Sequence, residues 1–222
     1  MSDRPRGAGL FPGAVQKPSR PKRSASLILI DRTSAELRIL MGRRSAAQKF
    51  MPDKYVFPGG RTDRSDHRAQ LTADLREHDR ERLFKALGKC ASAAGATAIA
   101  VSAIRETLEE TGLLLRADLS LLRLVARAVT PPMYPHRYDT HFFAAFSDEA
   151  LHESSAELTA SEELLDLGWH SFNAAKKLAM PDITRIILDE TGERLLADPL
   201  LESDLPIPFF AMRRGRMVRT TY

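Results

Sequence analysis

An α/β sandwich, with a mixed sheet and helices on both of its faces, follows from three features of this 222-residue chain. Short apolar, β-prone runs alternate along its length with segments of helical periodicity. The most apolar helical segment ends in a cluster of acids, so its apolar side can rest on a sheet while its end carries charge. Hydrophobic residues make up 43% and charged residues 28%, which suits one globular domain with a substantial core and hardly suffices for two.

The elements are predicted in order as follows. Residues 26–30 and 36–41 are two apolar runs around a short polar turn and should form a first hairpin. Tyr55-Val56-Phe57 is β-prone and is stopped by Pro58-Gly59-Gly60, which suits a strand running into a loop that passes close to a ligand. From about 68 to 95, Ala69, Leu71, Leu75, Leu83, Phe84 and Leu87 give a broadly helical pattern of one or two helices, with Gly88 and Gly95 as expected ends. Ala98, Ile99, Val101, Ala103 and Ile104 then lead as an amphipathic helix into the acidic turn. Residues 122–129 alternate like a half-buried strand, and 138–146 form an aromatic-rich one, with Pro131, Pro132 and Pro135 marking the loop between. Residues 165–170 read as a strand, 173–179 as a short helix, and 182–190 as a last helix preceded by Pro181. A closing hairpin is expected from 208–212 and 217–220 across Arg213-Arg214-Gly215-Arg216. No internal repeat is apparent.

Charge sets further bounds. The net charge of +4 is uneven, because Arg4, Arg6, Lys17, Arg20, Lys22 and Arg23 crowd an opening segment broken by Gly and Pro. Residues 1–24 are therefore expected to be a mobile basic tail and 25–222 a single domain. The tail's prolines spoil the amphipathic helix of an organellar transit peptide. No aromatic interleaving accompanies its charge, which argues against a nucleic-acid partner. The apolar runs are far shorter than a bilayer span, so no membrane partner is expected and a cytoplasmic location is. Cys90 is the only cysteine; its Ala-rich surroundings suggest a buried or half-buried thiol in a reducing compartment.

Arg105-Glu106-Thr107-Leu108-Glu109-Glu110-Thr111-Gly112-Leu113 carries the chemistry. At 3.6 residues per turn, Glu106, Glu109 and Glu110 are related as i, i+3 and i+4 and share one helix face. Enclosed in a cleft, each pair would repel by roughly 3 kcal/mol. A hard, oxygen-seeking ion such as Mg²⁺ or Mn²⁺ relieves that repulsion, and Gly112 suits the left-handed end of the helix. On an open surface the same residues are simply a solvated acidic face.

Together with the Gly59-Gly60 loop, this stretch resembles the Nudix hydrolase family. The family's box reads Gly, five residues, Glu, seven residues, then Arg-Glu-U-x-Glu-Glu-x-Gly-U, where U is a bulky aliphatic residue. Here Asp66 stands where the first Glu belongs, Thr107 takes an aliphatic position, and Arg105 comes 45 residues after Gly60. An insertion of about 31 residues, spanning about 67–96, therefore splits the box. A branch of the family that includes peroxisomal coenzyme A diphosphatases is split at this place. Thr130-Pro131 followed by Pro135-His136-Arg137-Tyr138-Asp139-Thr140-His141-Phe142-Phe143 resembles a second segment of that branch.

The resemblance implies hydrolysis of a pyrophosphate bond in a nucleoside diphosphate-linked compound, with Mg²⁺ or Mn²⁺ as cofactor and coenzyme A or acyl-coenzyme A as first substrate class. ADP-ribose, nucleotide sugars and dinucleotides are the runners-up, and a silent, nucleotide-sensing or RNA-binding member is the alternative class. It implies Glu109 and Glu110 as metal ligands, Glu106 as a further ligand or the group that polarises water, and Arg105 as the residue that holds Glu106. Gly60 either closes its backbone on metal or phosphate or is a bare turn glycine, and Gly59 is structural. Several relatives add a later carboxylate, for which Glu162 and Glu163 are the candidates and Glu163 is preferred. Arg137, Tyr138 and Asp139 are either substrate-side residues or a set that orders its loop. His136 and His141 lack a soft partner at metal spacing, so zinc is not expected. Homodimers are common among such relatives, and the inserted helices would offer a surface.

Overall fold

The computed structural model describes residues 19–48, 50–155 and 157–222. The basic residues Arg4, Arg6 and Lys17 of the expected tail lie outside them. The first strand, β1 (Lys22–Asp31), already begins inside that segment. Lys22, Arg23 and Ser24 pair with Tyr138, Asp139 and Thr140, and these backbone bonds make them part of the body.

β1 and β2 (Arg38–Arg44) form the first hairpin, paired at Ile30 with Ile39 and Asp31 with Arg38. Beyond those pairs the two strands part. β3 (Tyr55–Val56) takes the freed edge of β2, and β4 (Gly59–Arg61), a strand the sequence did not disclose, takes the edge of β1 at residues 24–26. The resulting wedge is where the acidic helix end arrives. On its other edge β1 runs parallel to β6 (Tyr138–Phe146), which pairs antiparallel with β5 (Arg123–Val129). β5 lies parallel to β8 (Pro208–Arg213), and β8 closes with β9 (Arg216–Thr221) as the expected hairpin. β7 (Leu164–Ser171) covers the outer edge of β2.

The sheet is buried on both faces, as the mixed-sheet reading requires. In β1, Ala25, Leu27 and Leu29 pack into one cluster with Ile99, Ala100 and Ala103 of α2 (Ala93–Thr111). Ile28 and Ile30 turn the other way, toward Ile187, Leu188 and Leu195 of α5 (Asp182–Ala197). A strand buried on both sides reads as a continuous apolar run, which explains residues 27–30.

Several boundaries differ from expectation for identifiable reasons. Within 68–95 only α1 (Glu77–Leu87) is a helix longer than one turn. Residues 72 and 73 instead lie beside 117 and 118, with the Thr72 amide donating to the Ala117 carbonyl at 2.8 Å. Gly88 does end α1, with φ 55°. Gly95 ends nothing, because Ser92 caps α2 by accepting from the Gly95 amide at 3.0 Å, placing that glycine in the first turn. α3 (Ser147–Ala150) and α4 (Phe172–Ala175) are single turns. α5 runs past Gly192 because Thr191 and Leu195 keep its inner face buried. Cys90 is exposed in a one-turn 3₁₀ segment after α1, contrary to its expected burial, since that turn lies at the surface between two helices. Among the described residues no single helix is long and apolar enough to cross a membrane.

Candidate active site

The position of α2 follows from its small apolar face. Ala96, Ile99, Ala100 and Ala103 are buried against the sheet, so the last two turns are held beside the wedge. Gly112 ends the helix in the left-handed conformation, φ 73°, as its sequence position suggested. Thr107, the departure from an aliphatic position, is fully buried and donates to the Ala103 carbonyl at 2.7 Å, which satisfies its hydroxyl inside the helix.

Glu110 is only 5% exposed and accepts a hydrogen bond from the Gly59 amide at 2.8 Å. Burial pushes its carboxyl up to about 8, with Glu106 and Glu163 adding to the rise and the Gly59 N–H and Arg44 opposing it. Burial also raises Glu106, against the pull of Arg105. Gly60 explains why a glycine is needed: a Cβ there would sit 2.3 to 2.4 Å from the Glu106 carboxylate. At Gly59 a Cβ would meet the β1 backbone at Ala25 O, 2.4 Å away. Gly59 is therefore structural as expected, and its amide also serves the site.

Arg105 ties the parts together. Its Nε and Nη2 donate to the two oxygens of Asp66 at 2.8 and 3.1 Å, and Nη2 also to the Arg61 carbonyl at 2.8 Å. Nη1 donates to Glu106 and to Glu109, both at 2.9 Å. These bonds, that to Asp66 foremost, raise the guanidinium's pKa above its ordinary value. The Asp66 side chain is fully buried and also accepts from the Asp63 amide at 2.6 Å. Asp66 is thus the buried anchor of Arg105, the place in the site that it takes in the split box.

Glu106, Glu109, Glu110 and Glu163 all line one cavity of about 500 Å³. Glu162 does not, which separates the two later candidates. All four donors are carboxylate oxygens, the chemistry that Mg²⁺ or Mn²⁺ requires. Among the described residues no three acidic, histidine or cysteine side chains are grouped tightly enough to enclose an ion. Arg105 Nη1 holds Glu106 and Glu109, and the Glu109 side chain, 56% exposed, has the freedom to leave it. By its chemistry the donor set fits a divalent ion.

Of the three residues expected beside the substrate, Tyr138 alone lines the cavity. Strand alternation sends Asp139 to the opposite face, where both its oxygens accept from Arg127 at 2.7 Å. Arg137 donates to the carbonyls of Thr130 at 3.0 Å and Ser19 at 2.7 Å, so it orders its own loop. Arg137 and Asp139 are corrected accordingly: neither is among the cavity's lining residues. His141 is completely buried and pushed down to about 4 by that burial, which leaves it neutral. The sequence reading missed Arg44, Phe50, Ile183 and Met217, all of which line the cavity. A paired Arg43-Arg44 at the end of an apolar strand was the available signal for the first.

Residues 93–190 match the NUDIX domain family. The match opens with α2 and does not include the Gly59–Gly60 loop. A Caenorhabditis elegans protein named as nudix hydrolase 7 is 30% identical over 150 residues, 63% of this chain and 48% of that protein; the chain thus spans about half the length of this relative. The crystal structure of a NUDIX hydrolase from Alicyclobacillus acidocaldarius aligns with TM-score 0.60 and 25% identity over 82% of this chain and 93% of the other. The NUDIX domain of Shewanella oneidensis NrtR, solved with ADP ribose, shares the fold with TM-score 0.52 at 11% identity, covering 80% of this chain and 90% of the other. A family match that begins on the acidic helix and a fold shared across most of the described residues make this chain similar to Nudix hydrolases in sequence and in fold.

Proposed function

We propose that this chain hydrolyses the pyrophosphate linkage of nucleoside diphosphate-linked compounds, with coenzyme A and acyl-coenzyme A as leading substrates and Mg²⁺ or Mn²⁺ as cofactor. The observation that carries this reading is the gathering of Glu106, Glu109, Glu110 and Glu163 on one cavity beside two glycines. Four carboxylates contribute little to packing there and repel one another. A divalent ion bound among them would offset phosphate charge and favour attack by water.

The chain's own groups supply the rest. Glu106, Glu109 and Glu110 would hold the ion, and Gly59 and Gly60 keep the loop backbone against the carboxylates. Arg105 is a positioning residue, because its bonds are spent on Asp66, Arg61, Glu106 and Glu109. Glu163, facing the same space from the start of β7, accepts the proton of the attacking water as the bond to the leaving phosphate ester breaks. The split box and the segment around Tyr138 support a coenzyme A-type substrate. So does the apolar part of the cavity wall, which includes Phe142, Ile183 and Met217.

A turnover assay with Mg²⁺ against coenzyme A, acyl-coenzyme A, ADP-ribose, a nucleotide sugar and a dinucleotide tests the reading, with Glu109→Gln and Glu110→Gln run beside it. Metal-dependent cleavage lost in both variants is expected, with coenzyme A compounds cleaved best. Cleavage of another diphosphate in preference would overturn the substrate class alone. Tight binding without turnover of any compound would overturn the enzyme reading in favour of a nucleotide sensor.

A further inference from the structure

The cavity needs a cation for the substrate's diphosphate as well as acids for a metal, and Arg105 is fully engaged. Arg44, at the end of β2, lines the same cavity and is half-buried. Its neighbour Arg43 points away and is neutralised at the surface by Asp53 at 2.8 Å and Asp166 at 2.7 Å. The β2–β7 register shifts between Met41 and Arg43, and Asp166 takes a left-handed φ of 47°, so a bulge lies beside this pair. Among the described residues Arg44 has no carboxylate within ion-pair distance. Its Nε donates to the Phe50 carbonyl at 2.9 Å and its Nη2 to the Gln48 side-chain oxygen at 3.1 Å. Both acceptors are neutral; they orient the guanidinium toward the cavity, where it acts on Glu110 through space and makes no direct ion pair among the described residues. Phe50 in turn packs against Tyr138, ring centres 5.2 Å apart, and both rings line the cavity.

We infer that Arg44 binds a phosphoryl oxygen of the substrate, and that its bond to the Phe50 carbonyl makes phosphate capture and the setting of the Phe50–Tyr138 pair against the rest of the substrate one event. A planar, charge-assisted guanidinium contact suits a phosphate oxygen, and the fixed fork makes lysine an incomplete substitute. The inference rests on the diphosphate reading above, yet its test separates the two.

Inorganic pyrophosphate with Mg²⁺ is titrated calorimetrically into the wild type, Arg44→Met, Arg44→Lys and Phe50→Leu, with circular dichroism as the check on folding. Turnover of the substrate panel is measured in parallel. Arg44→Met should weaken pyrophosphate binding roughly tenfold or more and raise KM further than it lowers kcat, and Arg44→Lys should recover part of the affinity. Phe50→Leu should leave pyrophosphate binding unchanged while raising KM for the nucleoside-containing substrate. The KM effects of Arg44→Met and Phe50→Leu should fall short of additive in the double variant. Unchanged pyrophosphate affinity in folded Arg44→Met and Arg44→Lys, or a wild type that does not bind pyrophosphate, would overturn the inference. Strict additivity would remove the coupling to Phe50. A wild type that binds pyrophosphate through Arg44 and hydrolyses nothing would sink the hydrolase reading and leave this one standing.

Discussion

Glu110→Gln should make the metal-free protein more stable while disabling it. The substitution removes a charge from the most enclosed of the cavity carboxylates and keeps an oxygen for the Gly59 amide, now bonded at 2.8 Å. Burial moves this carboxyl from an ordinary 4.5 to about 8. At 1.36 kcal/mol per pH unit, ionising it in the folded, metal-free chain costs about 5 kcal/mol, an upper figure that relaxation of the cavity will reduce. The sign follows from proton counting. Between pH 4.5 and about 8 the unfolded chain has released a proton that the folded chain still holds, so stability falls as pH rises through that window and levels off above it. Glutamine has no proton to release and escapes the fall. Urea denaturation after chelator treatment should therefore show wild type and variant nearly equal at pH 5 and the variant ahead by about 2 to 5 kcal/mol at pH 9. Steady-state turnover with Mg²⁺ should drop roughly tenfold or more. A stability difference that stays constant across pH, or kinetics that do not change, would refute the placement of this charge at the heart of the site.

Three further outcomes are expected. Gly60→Ala puts a methyl 2.3 to 2.4 Å from the Glu106 carboxylate, so kcat should fall about 10- to 100-fold as that group is displaced; wild-type turnover would show that Glu106 need not occupy its present position. Asp66→Asn leaves Arg105 without its fully buried partner and should cost about 3 kcal/mol in thermal or urea denaturation; a loss below about 1 kcal/mol would mean that the pair is not the anchor described. Glu163→Gln should lower kcat about 100-fold, while Glu162→Gln behaves as wild type; equal effects of the two would remove Glu163 from its proton-accepting role.

The parts of this molecule legible in its sequence are those set by local chemistry. The i, i+3, i+4 spacing of the acids, the left-handed Gly112 and the strand and hairpin character of the apolar run 26–30 needed no knowledge of distant contacts. β4 was hidden because Gly59-Gly60 is a poor strand on propensity, and only the retreat of β2 from β1 provides the edge that it fills. The start of the insertion was misjudged because apolar spacing at 69–75 fits a helix as well as the extended pairing with residues 117 and 118 that tertiary structure imposes. Within the site, Arg137 and Asp139 looked like substrate residues because they flank Tyr138 in sequence. Alternation along β6 separates Asp139 from it, and backbone carbonyls occupy Arg137. Arg44 went unseen because the Arg43-Arg44 pair does not say which of its members faces the cavity, and the setting of Arg44 is built by the loop that returns to it.

The ion pair between Asp66 and Arg105 joins residues 39 positions apart, closing that length of chain into a ring whose clasp is the site itself. Between those two points the chain is also tied to the body, because Leu75 and Leu83 sit in the core cluster and Arg82 donates to Asp204 and to the Leu205 carbonyl. Lengthening such a ring is cheap, about 0.6 kcal/mol for each doubling. Lengthening or shortening the exposed turns within it would therefore cost the clasp little, provided that α1 and α2 stay packed on the core. The interruption is in that sense a socket, through which new surface can be plugged in beside the reaction without rewiring it.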